Sequence, residues 1–262
     1  MSKKLGFALS AGGSRGCAHI GFLIAMEEAG IKPDFVAGCS MGAVIGACYC
    51  NGMSPKEMGQ ITLKLKRRQV VDLSLNPLGS GALLRSKKIR RKLKEFLGDK
   101  TFDQLQIPFK CVATDLIKGQ TVQLGDDKNL LESVVASSAI PSIFKPIDMD
   151  GMLLADGGLL CRVPIKVVKD MGADVVVAID ALGRVRQGNR KNSTLGALLR
   201  MIDVVDAELT KYKTQENTAN LFLEPELGDM VQYKFKGIQQ AIEQGYRLGK
   251  ANVQKIKELL AD

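Results

Sequence analysis

The sequence predicts an α/β protein built on an open, mostly parallel sheet with helices on both faces. Short apolar runs alternate with helical patterns along most of the chain. The run at 174–180, Asp-Val-Val-Val-Ala-Ile-Asp, has the unbroken apolar character of a strand buried on both sides. The 262 residues are 45% hydrophobic and 25% charged, enough apolar surface for a sizeable core and too much for a disordered chain. At this length one domain over residues 1–262 is expected.

In chain order, residues 5–10 form an apolar strand that ends at Ala11-Gly12-Gly13-Ser14-Arg15-Gly16, and 17–28 read as a helix closed by Gly30. Residues 34–38 are a second strand, and 41–50 a helix crowded with small residues (Gly42, Ala43, Gly46, Ala47). Ser54 before Pro55 marks an N-cap and first helical position, opening a basic helix to about Arg68. A second basic helix covers roughly 86–96. Residues 109–115 and 120–124 read as a strand pair around Lys118-Gly119, a hairpin-like insert, and 129–138 as a short helix stopped by Pro141. A strand at 152–155 runs into Asp156-Gly157-Gly158, 164–171 are helical, and 174–180 are the buried strand. Residues 183–194 read as a polar surface loop. The helix at 195–212 carries apolar residues at 195, 198, 199, 202, 205 and 209, a core stripe or the self-association stripe of a homo-oligomer. A last strand at 220–223 and a helix from about Ile238 complete the chain.

The chemistry concentrates at two strand ends. Gly38-Cys39-Ser40-Met41-Gly42 is G-x-S-x-G placed where a strand gives way to a small-residue helix, the context of a nucleophile elbow. The flanking glycines let strand and helix approach closely, and the helix start aims N–H groups and a positive dipole end at charge developing on Ser40. Gly12-Gly13-Ser14-Arg15-Gly16 ends the first strand at the same sheet edge, where open α/β sheets bind ligands. Two readings of this loop stand: a nest of N–H groups for an oxyanion, or a dinucleotide loop with Asp34 as the ribose acid. G-G-x-x-G misses the first spacing of the dinucleotide fingerprint. Arg15 either pairs with a phosphate or fixes the loop through its carbonyls.

An activated serine needs a base. His19 is the only histidine, it lies on the first turns of the helix after the loop, and a structural imidazole is the preferred reading. A single imidazole also excludes metal sites built on two or more. The base therefore falls to a carboxylate. Asp156 leads because it ends a strand and precedes Gly157-Gly158, which turn the chain sharply at the sheet edge; Asp115 and Asp180 also end strands and read as structural. A free carboxylate of pKa about 4 is a weak base toward a hydroxyl, so Asp156 needs partial burial and a direct hydrogen bond to Ser40.

Cys17, Cys39, Cys48, Cys50, Cys111 and Cys161 lack the spacing of a disulfide framework or zinc site and read as reduced thiols. The net charge of +9 is concentrated, with 13 basic residues against 4 acidic in 56–100. That stretch holds a single aromatic, Phe96, which sets nucleic acid aside. Residues 1–6 carry no apolar leader core and no run reaches the length of a membrane span, so a cytoplasmic protein is expected.

Gly12-Gly13-Ser14-Arg15-Gly16, Gly38-Cys39-Ser40-Met41-Gly42 and Asp156-Gly157-Gly158, in this order, resemble the patatin-like phospholipases. His19-Ile20-Gly21, Ala113-Thr114-Asp115 and Ala139-Ile140-Pro141 with Phe144 and Pro146 are similar too. The resemblance covers roughly residues 5–182, with 183–262 as a C-terminal helical and strand completion. It implies a three-layer α/β/α patatin-type fold with a mostly parallel sheet and a cofactor-independent serine acylhydrolase acting on lipid or other acyl esters. Ser40 would be the nucleophile, Asp156 the base, and the N–H groups of Gly12, Gly13, Ser14 and Arg15 the oxyanion hole, with Gly16, Gly38, Gly42, Gly157 and Gly158 in support. The family often has Asn shortly after the Asp-Gly-Gly, where this chain reads Leu159-Leu160-Cys161-Arg162-Val163-Pro164. The rival reading is a catalytically silent protein of the same fold that binds membrane surfaces. In the helix at 86–97, Ile89, Leu93, Phe96 and Leu97 share one face and cations spread over the rest; the preferred reading is a helix packed on the core with a solvated cationic face, and the other is peripheral contact with an anionic inner membrane face.

Overall fold

The computed structural model describes residues 3–65, 86–126, 128–183, 194–232, 234 and 236–261. The elements run β1 (Leu5–Leu9), a 3-10 turn (Gly13–Cys17), α1 (Ala18–Glu28), β2 (Phe35–Cys39), α2 (Met41–Cys50), α3 (Pro55–Lys64), α4 (Lys87–Leu97), β3 (Phe109–Asp115), β4 (Gln120–Leu124), α5 (Leu130–Ser137), β5 (Ile147–Met149), β6 (Met152–Asp156), α6 (Ile165–Asp170), β7 (Val175–Ile179), α7 (Thr194–Glu216), β8 (Leu221–Leu223) and α8 (Ile238–Ala261). α3 stops at Lys64, with Leu65 already extended at ψ 120°, short of the expected end near Arg68; residues 66–68 and the loop at 184–193 lie outside the described residues.

The strands form one sheet in the order β5-β6-β3-β2-β1-β7-β8, with β4 also on β3. β1, β2, β3, β7 and β8 are parallel; β4 and β6 run against them, and β5, antiparallel to β6, runs with them and had no signal in the sequence. Alternation along the strands sorts side chains by size. Leu5, Phe7 and Leu9 of β1 and Val175, Val177 and Ile179 of β7 face a thick layer that includes α1, α2, α5 and α8. Ala8, Ala37, Cys39 and Ala178 face the other way, where their small side chains let Ile165, Val167 and Val168 of α6 settle close to the sheet. The result is a three-layer α/β/α fold. α8 lies against α1 at glycine contacts, since a Cβ on Gly245 would fall 1.9 Å from the Ala18 carbonyl oxygen.

The register explains where the site forms. β2 pairs with residues 109–112 of β3, and β6 pairs with 113–115, while β4 covers 111–115 from the opposite edge. A strand has two edges, so β2 and β6 share one edge of β3 and meet end to end. Cys39 lies opposite Val112 and Asp156 opposite Ala113, which places the two C-terminal ends side by side.

Of two amphipathic helices, α4 is used as the preferred sequence reading has it and α7 is not. α4 buries Leu93 and Leu97 and packs Ile89 and Phe96 against the core, so its apolar face is occupied, while Lys87, Arg91, Lys94 and Glu95 are exposed. α7 buries Leu199, Asp206 and Thr210, whereas Leu198 and Val205, expected in a core or self-association stripe, are 38% and 55% exposed. The cause is Arg162, 5% exposed, whose guanidinium donates to Asp180 at 2.7 Å and to Asp206 at 2.9 Å. A buried cation requires its counter-charges, and this draws the Asp206 side of α7 inward in place of the apolar side. Among the described residues no helix is long and apolar enough to cross a membrane.

Candidate functional site

Ser40 joins β2 to α2 with φ 51° and ψ −118°, a left-handed conformation that costs a non-glycine residue about 1–3 kcal/mol. Its neighbours hold it there. The Ser40 amide donates to Ser137 Oγ at 3.0 Å, and its carbonyl accepts from Ser138 Oγ at 3.3 Å and from the Ala43 and Val44 amides at 2.9 and 3.0 Å. Gly42 is required by proximity, because a Cβ there would lie 2.2 Å from the Leu9 carbonyl oxygen.

Asp156 ends β6. Its amide donates to the Ala139 carbonyl at 2.9 Å and its carbonyl accepts from Thr114 Oγ1 at 3.1 Å, so the backbone is fixed before the side chain is considered. Oδ2 accepts from Ser40 Oγ at 2.6 Å, Oδ1 accepts from the Gly158 amide at 2.8 Å, and the Cys39 thiol lies 4.0 Å from Oδ1. Gly157 lets the turn pass β3, where a Cβ would sit 2.4 Å from the Val112 carbonyl oxygen. Burial pushes the Asp156 carboxyl up to about 6, against the pull of the hydrogen bonds from Ser40 and Gly158. The carboxylate is still ionised at neutral pH and is a stronger base than a free one.

The glycine loop lies at the end of β1, beside the same sheet edge. Of its amides, Ser14 donates to the Gln232 carbonyl at 2.9 Å and Arg15 to the Gly12 carbonyl at 3.0 Å; among the described residues the Gly12 and Gly13 amides have no partner. Gly13 has φ 50° and faces Gln232 so closely that a Cβ would fall 2.4 Å from its carbonyl oxygen. Arg15 is buried and donates to the carbonyls of Ala181, Leu182, Gly228 and Met230, so it ties the glycine loop to the segments after β7 and β8 and not to the loop's own carbonyls. Asp34 accepts from the Leu5 amide at 2.7 Å, at the opposite end of β1, so the dinucleotide reading loses its acid.

His19 is fully buried with Nε2 2.9 Å from the Ser10 carbonyl oxygen, and burial lowers it to about 4. It is thus neutral, with Nε2–H donating and Nδ1 without a partner among the described residues. Ser137 and Ser138, at the end of α5, were not legible as supports of the elbow: two serines before a proline look like any helix end. Arg162 supports the Asp156 loop through its carbonyl, which accepts from the Ala11 amide at 3.0 Å, and through its pairs with Asp180 and Asp206. Burial raises Asp206 to about 7 despite the guanidinium beside it.

The Patatin-like phospholipase family matches residues 7–169. The chain is 35% identical over 183 residues to an NTE family protein of Mycobacterium tuberculosis, covering 70% of this chain and 50% of that one. It is 33% identical over 184 residues to patatin-like phospholipase domain-containing protein 6 of Homo sapiens, covering 67% of this chain and 13% of that one. The chain therefore spans half or less of the length of these curated relatives. The crystal structure of VipD from Legionella pneumophila superposes with a TM-score of 0.56 at 15% identity, over 97% of this chain and 67% of that one, a likeness of fold.

Proposed function

The chain belongs to the patatin-like phospholipase family, and from that premise we propose that it is a serine acylhydrolase cleaving lipid carboxyl esters through Ser40 and Asp156. The observation that carries the reading is the 2.6 Å hydrogen bond from Ser40 Oγ to Asp156 Oδ2, between a hydroxyl on a strained turn and a carboxylate made basic by burial. Ser40 Oγ attacks the ester carbonyl carbon as its proton passes to Asp156. The tetrahedral oxyanion is received by the Gly12 and Gly13 amides, which are the loop donors still available, with the N-terminus of α2 adding positive potential. Collapse breaks the bond to the alcohol oxygen, which takes the proton from Asp156 and departs, while the acyl group stays bonded to Ser40 Oγ. Asp156 then takes a proton from water, the resulting hydroxide attacks the acyl-enzyme, and the fatty acid departs as Ser40 is reprotonated.

A fluorophosphonate probe is expected to label the chain at one serine, and Ser40→Ala to abolish both the label and ester turnover. Labelling that persists at full stoichiometry in Ser40→Ala would assign the nucleophile elsewhere.

A further inference from the structure

β1 leaves the sheet irregularly at Ser10, just before the loop whose amides are to receive an oxyanion. Leu9 stands opposite Ile179 of β7, so in a regular parallel ladder Ser10 donates to the Ile179 carbonyl and accepts from the Ala181 amide. The first bond is made, at 3.1 Å; the second is not. The Ala181 amide donates instead to Ser10 Oγ at 2.9 Å, and that hydroxyl donates to the Ala11 carbonyl at 2.7 Å. With its ladder partner taken by its own side chain, the Ser10 carbonyl turns out of the ladder and accepts from His19 Nε2–H at 2.9 Å. The other end of the same peptide is held too, since the Ala11 amide donates to the Arg162 carbonyl at 3.0 Å. Ser10 and His19 are both fully buried, so a carbonyl left here without a donor has no water to turn to.

We propose that His19 and Ser10 are positioning residues of the oxyanion hole: together they fix the Ser10–Ala11 peptide in the orientation that aims the Gly12 and Gly13 amides, an inference that rests on the acylhydrolase reading above. The chemistry of His19 suits this task. Its Nε2–H is spent on the Ser10 carbonyl, and its Nδ1 is buried without a partner among the described residues, so it makes no hydrogen bond to Ser40 or Asp156. An apolar residue of the same length would remove that orphaned acceptor without loss of packing; what it could not do is donate to Ser10. The peptide also links the two halves of the site. Its carbonyl lies against Gly42 at the start of α2, where a Cβ would stand 2.5 Å away, and its amide is tied through Arg162 to the segment after Asp156. A displacement of about 1 Å in catalytic donors costs on the order of 100-fold in rate, so a small rotation of this peptide registers in kcat.

The test compares, in the full chain, His19→Met, which keeps length and burial without a donor, with His19→Gln, which supplies an amide N–H as many bonds from Cα as Nε2. His19→Met is expected to lower kcat for a short-chain ester about 10- to 100-fold with KM within about twofold. It is expected to slow fluorophosphonate labelling of Ser40 by a similar factor, since both reactions place an oxygen on the same amides. His19→Gln is expected to restore most of both rates. Ser10→Ala removes the hydroxyl that holds the Ala181 amide, which lets the Ser10 carbonyl return to the regular ladder, and is expected to lower kcat in the same way. Hydrogen exchange reads the peptide independently of activity. The Ala11 amide is expected to exchange about tenfold or more faster in His19→Met and Ser10→Ala, while Phe7 and Val177 within the paired strands keep their protection. Equal activity of His19→Gln and His19→Met, or activity that only tracks denaturant stability across the three variants, would make His19 a core brace and overturn the proposal. Unchanged exchange at Ala11 overturns it as well. A parent chain that neither turns over ester nor takes the probe would remove the acylhydrolase reading itself, whereas an active parent whose variants keep its kcat would remove the positioning role alone.

Discussion

Asp156→Asn is expected to lower lipid-ester turnover by about 1,000- to 10,000-fold while raising thermal stability at neutral pH. The amide keeps the geometry: its oxygen still accepts from the Gly158 amide, and its nitrogen replaces the acceptor that Ser40 Oγ now donates to. What it lacks is the capacity to take the proton of the hydroxyl. The stability change follows from linkage. Burial raises the carboxyl to about 6 from an ordinary value near 4, so the folded state favours the protonated form. The wild type is thus more stable below about pH 4, loses stability as pH rises through 6, and above that carries a cost on the order of 2–3 kcal/mol that the asparagine removes. The same group predicts the pH profile. Since the base must be ionised, kcat/KM of the wild type is expected to rise with pH through about 6 and then level, and the residual activity of Asp156→Asn is expected to lack that step. Thermal melts and pH–rate profiles of the two proteins check this. A variant that is inactive and also less stable at pH 7 would show that the carboxylate is held by more favourable contacts than burial and these hydrogen bonds imply.

Arg162→Met is expected to be the most destabilising single change outside the apolar core, at about 3–5 kcal/mol in denaturant unfolding at pH 8. The guanidinium is buried between Asp180 and Asp206, and removing it leaves two buried carboxylates without their counter-charge. The loss is expected to be smaller at pH 5. Asp206 already has its carboxyl raised to about 7 by burial, and without the arginine it takes a proton more readily still, so lowering the pH neutralises the group that the substitution strands. A deficit that is equal at pH 8 and pH 5 would argue that packing of the arginine stem, and not its charge, is what the fold requires. Activity is expected to fall with stability, because the Arg162 carbonyl and side chain brace the turn that follows Asp156 and the helix that lies against it.

The three motifs were legible in the sequence because each is a local solution to a steric problem. Gly42 and Gly157 pass within contact distance of neighbouring carbonyls, and any side chain at either position would collide with backbone that cannot yield. Such demands leave their mark within a few residues, as does the buried parallel strand at Val175–Ile179. The reason for the Arg162 departure from the family pattern was not legible, nor was the support from Ser137 and Ser138, since each depends on partners far along the chain.

Residue order alone thus pointed to the alternation of strands and helices, the tight serine turn, and Ser40 and Asp156 as the candidate pair. Their contact is another matter: Ser40 and Asp156 are 116 positions apart, and they meet because β2 and β6 run into each other along one edge of β3. Periodicity likewise offered the apolar positions of α7 as a core or self-association stripe, yet the assembled protein buries Leu199, half-buries Ile202 and Leu209, and turns Leu198 and Val205 to solvent. A single buried guanidinium needed a second carboxylate, and in a medium of low polarity that electrostatic demand outweighs the burial of a few aliphatic side chains.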